Sequence, residues 1–128
     1  MKITKEISRQ SIEDIFVTAL EGGSNYWYFI PDESIVAVRK AVPIEVDKYL
    51  STAIVKAVLD HGVDVPIHDA ENEDECLGVI SASTMQARLQ GLTEDYEDIT
   101  SNIFNDDIDA FSADIIFQYI VMGEVVFS

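Results

Sequence analysis

Residues 109–122 constrain this chain more than any other segment. Ile115, Ile116, Phe117, Tyr119, Ile120 and Val121 make a helix there apolar nearly all round. Such a helix has almost no face to offer water and must lie at the centre of a core. It starts near Asp109 or Ser112, and Gly123 supplies its stop. The rest of the 128 residues must wrap around it, and a chain of that length buries roughly two-thirds of its unfolded surface.

The remaining elements follow from periodicity and punctuation. Residues 11–23 read as a helix with Ile12, Ile15, Phe16, Ala19 and Leu20 on one face. Ser11 with Asp14 resembles a capping box, and Gly22 ends the helix. A second helix is expected over 44–59, with Pro43 in its first turn, Gly62 at its exit, and Val46, Tyr49, Leu50, Ala53, Ile54, Ala57 and Val58 as its apolar stripe. Shorter helices are expected over 83–92 and 96–104. Residues 63–69 and 76–81 flank the polar stretch 70–75 and read as a hairpin, with Pro66 placing the first strand at an edge. The aromatic run 26–30, YWYFI, reads equally as a strand or as a buried turn. Residues 125–127 are a short strand candidate. No Pro-, Gly- or Ser-rich linker divides the chain. The expected fold is therefore a single compact α+β domain, four or five helices around a small, mostly antiparallel sheet.

Charge is distributed unevenly over this plan. Residues 60–128 hold sixteen Asp and Glu against Arg88 alone, whereas residues 1–59 hold eight acids and seven Lys or Arg. With 48% apolar residues interleaved among the acids, the second half is an acidic folded surface and not a disordered tail. A net charge of −16 repels phosphate, which disfavours direct nucleic-acid binding and anionic membranes alike. A single cysteine, Cys76, allows no internal disulfide and points to a reducing compartment. No apolar run approaches the ~18 residues of a membrane span, and the first residues lack a signal-like run, so a cytoplasmic location is expected.

Motifs for catalysis and metals are incomplete. Asp69, Glu71 and Glu73 stand at positions one, three and five of a calcium-like loop ending in Asp74 and Glu75. Position six is Asp74 where a glycine is needed, and position twelve is Ile80 where a bidentate Glu is needed. His61, His68 and Cys76 lack the short pair spacings of zinc sites. Acids around Cys76 oppose a reactive thiolate. Gly22 and Gly23 belong to no phosphate-binding pattern. The chain calls for no metal and no cofactor.

Two stretches are informative together. Asp14 to Trp27, DIFVTALEGGSNYW, resembles the D-I-x-x-T-A-L-E-G-G-x-x-Y-W opening of small acidic proteins carried by phages and integrated mobile elements of gut bacteria. Ala113 to Phe127, ADIIFQYIVMGEVVF, resembles their A-D-x-I-x-Q-Y-x-x-x-G-E-V-V-F tail, and their variable middle includes an acidic turn like Asp69-Ala70-Glu71. The resemblance singles out Glu21, Gly22, Gly23, Tyr26, Trp27, Gln118, Tyr119, Gly123 and Glu124 as a framework.

The functional expectation is a non-enzymatic accessory protein that binds a basic DNA-binding or defence protein. Glu71, Glu73, Asp74, Glu75, Glu94, Asp95, Glu97, Asp98, Asp106, Asp107 and Asp109 would imitate nucleic-acid phosphates. Two alternatives stand beside it. One is an enzyme or metal-binding protein using Glu21, Tyr26 and Glu124 or the loop from Asp69 to Glu75. The other is a structural subunit that oligomerises through its apolar helices.

Overall fold

The computed structural model describes residues 7–104 and 108–127. In chain order, α1 (Arg9–Thr18) runs into a π-helical turn (Ala19–Gly23), then β1 (Tyr28–Phe29), α2 (Asp32–Ala41) and α3 (Leu50–His61). The hairpin β2 (Val65–Asp69) and β3 (Cys76–Ile80) follows, then α4 (Ala82–Asp95), α5 (Glu97–Phe104) and α6 (Ala110–Met122). This is an α+β domain with a three-stranded antiparallel sheet in the order β1-β2-β3. No helix among the described residues is long and apolar enough to cross a membrane.

The apolar helix expected over 109–122 is α6, and it is central. Asp109 caps it, its carboxylate accepting from the Ser112 N–H at 2.7 Å. Gly123 ends it at φ +78°, in the left-handed region that favours glycine. Ala113, Ile116, Phe117, Ile120 and Val121 are buried, and Phe117 meets the rings of Phe16, Trp27 and Tyr28 at 5.4–5.8 Å between centroids. α1, the π turn, α4, α5 and β3 all pack on α6. β3 crosses it so closely that a Cβ at Gly78 would lie 2.1 Å from the Val121 carbonyl oxygen. The π turn also comes close, where a Cβ at Gly23 would lie 2.6 Å from the Ala110 carbonyl oxygen.

Several boundaries differ from expectation for identifiable reasons. The cap of α1 is Ser8, whose hydroxyl oxygen accepts from Ser11 N–H at 3.1 Å, and Ser11 is itself buried. Helix α3 begins at Leu50 because Asp47 reorganises the chain before it. Asp47 accepts from Tyr49 N–H, Thr52 Oγ1 and Lys56 Nζ, while Val46 and Asp47 N–H turn back onto the Pro43 carbonyl. Pro43 therefore opens a turn and not a helix, and Val46 and Tyr49, expected on the apolar stripe, are exposed. Helix α2 is not among the expected elements, although Ile35, Val38 and Val42 recur at helical spacing and Val38 and Val42 are buried. Charge adds to that signal: Asp32 and Glu33 lie in the first turn and Arg39 and Lys40 in the last, matched to the helix dipole.

The hairpin forms as expected, pairing Val65 with Ile80 and Ile67 with Gly78, with a register shift before His68. Pro66 lies in the middle strand and not in an outer one. Because β1 reaches only Asp69 and His68, Pro66 still has a local edge, and its carbonyl accepts from Ser34 Oγ at 2.9 Å. The aromatic run splits between both readings: Trp27 is a buried turn residue, Tyr28 and Phe29 a two-residue strand. Residues 125–127, a strand candidate from sequence, form no strand and join no sheet.

Candidate functional site

Two regions merit attention: the acidic surface and a buried polar cluster where the two ends of the chain meet. The acids expected to act together lie on separate elements. Glu71, Glu73, Asp74 and Glu75 are exposed in the turn of the hairpin. That turn is braced by its own groups: Asp69 Oδ1 accepts from Glu71 N–H at 2.8 Å, and His68 Nδ1 lies 2.5 Å from the Glu73 carbonyl oxygen. Glu94 is exposed near the end of α4 and Asp98 in the first turn of α5. Asp95 and Glu97 belong to the same helices, with their side chains outside the described set. Asp106 and Asp107 lie outside the described residues. Asp109 is exposed, and its bond from Ser112 N–H holds its carboxyl below the usual carboxylate range.

None of these exposed acids is ion-paired among the described residues. The ion pairs there are Arg9 with Glu13 and Asp60, and Lys56 with Asp47. Arg88, the one cation of the acidic half, is turned to the end of α6, where it donates to the Tyr119 and Ile120 carbonyls at 3.2 Å each. A cation at a helix C-terminus meets its unpaired carbonyls and its dipole. Arg88 thus serves the core and, among the described residues, leaves these surface acids without a cationic partner.

The framework residues divide between structure and surface. Their centre is Asp114, a member of the tail motif with no place in the framework expected from sequence. Its Oδ1 accepts from Ser24 Oγ and Trp27 Nε1, both at 2.7 Å. Its Oδ2 accepts from the Tyr26 hydroxyl at 2.5 Å and faces Gln118 Nε2 at 3.3 Å. A carboxylate offers about four lone-pair sites, so these four donors saturate it and leave none for a substrate. Desolvation, then the bond to Asp114, pushes the Tyr26 hydroxyl up to about 12. Its ring is half exposed while its hydroxyl points inward, a poor geometry for a nucleophile.

Gln118, fully buried on α6, holds the end of the chain. Its Oε1 accepts from the Val126 and Phe127 N–H groups at 2.9 and 2.8 Å, and its Nε2 donates to the Phe127 carbonyl at 3.0 Å. A side-chain amide thus replaces the neighbouring strand that residues 125–127 were expected to find. Phe127 stacks on Trp27 with centroids 5.5 Å apart and planes 13° apart. Gly23 permits the approach of the π turn to α6, and Gly123 turns the chain toward Gln118. Tyr119 packs edge-on against Tyr96 at 5.8 Å. Gly22 is exposed with open space around it.

The expected triad of Glu21, Tyr26 and Glu124 does not share a site. Glu21 lines a cavity of about 230 Å³ with Leu20, Tyr28, Ile30, Lys48 and Tyr49, whereas Tyr26 is bound to Asp114. Burial, with the charge of Glu21 second, raises the Tyr28 hydroxyl, which donates to the Leu20 carbonyl at 2.6 Å. Glu124 is exposed beside Gly123. Among the described residues no three His, Cys, Asp or Glu side chains converge as metal ligands; Cys76 is exposed and its thiol contacts the Gly78 carbonyl.

Set against known proteins, the chain matches no family model, no curated protein and no solved structure.

Proposed function

We propose that this chain is a non-enzymatic accessory protein of a phage or mobile element, acting by protein binding through carboxylates that imitate nucleic-acid phosphates. One observation carries the reading: Glu71, Glu73, Asp74, Glu75, Glu94 and Asp98 are exposed on folded elements and lack any cationic partner among the described residues. Fixed carboxylates of this kind steer a basic partner into contact and make its affinity fall with salt. The saturation of Asp114 supports a binding role over chemistry at the framework, because its buried carboxylate is already committed to donors of the fold. The origin in a mobile element rests on the likeness of residues 14–27 and 113–127 to phage-borne proteins. It also guides the choice of partner, a basic DNA-binding or defence protein of the host.

The full-length protein, immobilised and exposed to host lysate at low salt, should retain a basic DNA-binding protein. Duplex DNA should displace that protein in competition. A variant carrying Glu73→Lys, Glu75→Lys, Glu94→Lys and Asp98→Lys should lose it while melting normally. Recovery of no basic protein, or retention unaffected by duplex DNA, would refute mimicry.

A further inference from the structure

The cavity beside Glu21 is lined by polar groups whose hydrogen-bonding capacity the fold leaves open. It measures about 230 Å³ and lies between the π turn and β1 on one side and the start of α3 on the other. That is below the roughly 300–1,000 Å³ of pockets for drug-sized ligands, so it suits a smaller molecule.

The α3 side offers donors. This helix has twelve residues, and no side chain accepts from its first N–H groups. Asp47, which stands beside them, is occupied by Tyr49 N–H, Thr52 Oγ1 and Lys56 Nζ. Among the described residues the Leu50 and Ser51 N–H groups therefore have no acceptor, and open N–H groups at a helix start favour a negative charge. Ser51 is an independent sign. It lines the cavity, it is only 5% exposed, and its hydroxyl has no hydrogen-bond partner among the described residues. No sealed polar side-chain atom there lacks a partner, so this hydroxyl keeps an opening, and the cavity supplies it. Lys48 adds a full positive charge at the exposed edge.

The facing side offers acceptors. The Tyr28 hydroxyl gives its proton to the Leu20 carbonyl at 2.6 Å, so what it has left is its lone pairs. Burial, then the charge of Glu21, raises this hydroxyl, which places the two acceptors within electrostatic reach of each other. Glu21 and Lys48 thus line one cavity with opposite charges, yet neither is ion-paired among the described residues. Leu20, Ile30 and Leu50 complete the wall with apolar surface.

We infer that this cavity binds a small zwitterion with an apolar body, the chemistry of a free aliphatic α-amino acid. The carboxylate of the ligand meets the Leu50 and Ser51 N–H groups, the Ser51 hydroxyl and Lys48. Its ammonium meets Glu21 and the Tyr28 oxygen, and its side chain packs on Leu20, Ile30 and Leu50. A simple anion is opposed by Glu21, and a simple cation by Lys48 and the helix dipole, so the two walls together select a molecule carrying both charges. None of the acids proposed to meet a basic partner lines the cavity, so loss of zwitterion binding would leave that role untouched.

The experiment is a titration of the isotope-labelled full-length protein, followed by two-dimensional amide NMR at neutral pH. The probes are L-leucine, isocaproate (leucine without its ammonium) and isoamylamine (leucine without its carboxylate), each carried to millimolar concentration. Leucine should give saturable shifts centred on the Tyr49, Leu50 and Ser51 amides, with both analogues at least about fivefold weaker. Glu21→Gln should weaken leucine by about fivefold and leave isocaproate no weaker, whereas Lys48→Met should weaken both. Both substituted side chains are exposed, and circular dichroism melts verify that each variant folds. Absence of saturable shifts at these amides overturns the inference. So does either analogue binding as tightly as leucine, or a Glu21→Gln variant whose affinity for leucine is unchanged.

Discussion

Replacing Asp114 with alanine tests whether one buried carboxylate joins residues 24–27 to α6. The substitution strips an acceptor from Ser24 Oγ, Trp27 Nε1 and Gln118 Nε2, all on buried residues, and from the Tyr26 hydroxyl, which can turn to water. An orphaned buried donor costs about 1–3 kcal/mol. Gln118 keeps the Phe127 carbonyl, so two full penalties and part of a third give about 3–6 kcal/mol. Against a typical total of about 5–15 kcal/mol that is a large share. For a chain of this size it corresponds to a fall in Tm of roughly 10–25 °C. Asp114→Asn should cost less, about 1–3 kcal/mol, because one carbonyl oxygen can still serve Ser24 and Trp27. Urea unfolding followed by fluorescence of Trp27, the sole tryptophan, and in parallel by far-UV circular dichroism, measures both. If Asp114→Ala lies within about 1 kcal/mol of the unaltered protein with an unchanged m-value, the carboxylate does not hold the cluster together.

Other perturbations separate the remaining claims. Gly78→Ala should destabilise the protein by about 3 kcal/mol or prevent folding, since its Cβ meets backbone at 2.1 Å, while Gly22→Ala, with open space around it, should be nearly neutral; equal melts would contradict the close crossing of β3 over α6. Arg88→Met should cost about 1–2 kcal/mol by uncapping α6, and a neutral result would mean that the two carbonyls are as well served by water. Burial opposes ionisation of Asp47, but bonds from Thr52, Lys56 and Tyr49 outweigh it and hold the carboxyl below 3.8. Its contribution to stability is therefore complete above that value and lost as pH falls through the lower folded value; Asp47→Asn should flatten the acid limb of a stability–pH curve, and an unaltered limb would count against the contribution. Tyr26 titrates near 12, so the unfolded chain releases this proton from about 10 while the folded chain holds it, and stability should fall between them; phenolate absorbance should lose its latest step in Tyr26→Phe, and a titration identical to the unaltered protein would exclude the Asp114 bond as the cause.

What the sequence disclosed follows from which forces leave a periodic trace. Residues 109–122 were readable as the central helix because Ile116, Phe117, Ile120 and Val121 are buried by the same requirement that made them apolar. Helix α2 is short and follows Pro31 directly, so its stripe of Ile35, Val38 and Val42 spans only two turns and is a weak signal beside the aromatic run before it. The start of α3 was misplaced because Val46 and Tyr49 continue the periodicity while Asp47 interrupts the backbone. In the candidate site, Tyr26, Trp27 and Gln118 were singled out by resemblance and meet at Asp114, whereas Gly123 lies beside Arg88. Asp114 carries a legible signal: an acid inside an otherwise apolar helix, four residues before Gln118, must be matched by donors from elsewhere. Those donors, Ser24, Tyr26 and Trp27, lie about ninety residues away, and no local pattern carries that information.

The Asp114 cluster also changes what the likeness of the two terminal motifs implies. A buried carboxylate depends on its buried donors, since losing Ser24 or Trp27 leaves charge uncompensated in a poorly solvated place. Gly23 must remain small for the π turn to reach α6, Gln118 must face residues 126 and 127, and Phe127 must reach Trp27. The opening and closing motifs are therefore two halves of one structural device, and each requires the other whatever the protein binds. Their recurrence in other chains would speak for a common core. Under the proposed binding role, specificity would fall to side chains the core does not demand: the hairpin turn with Glu71, Glu73, Asp74 and Glu75, and the junction of α4 and α5 with Glu94 and Asp98. Those positions can vary in charge and spacing at little cost to the fold, which is the freedom a surface needs if it is to be fitted to one partner.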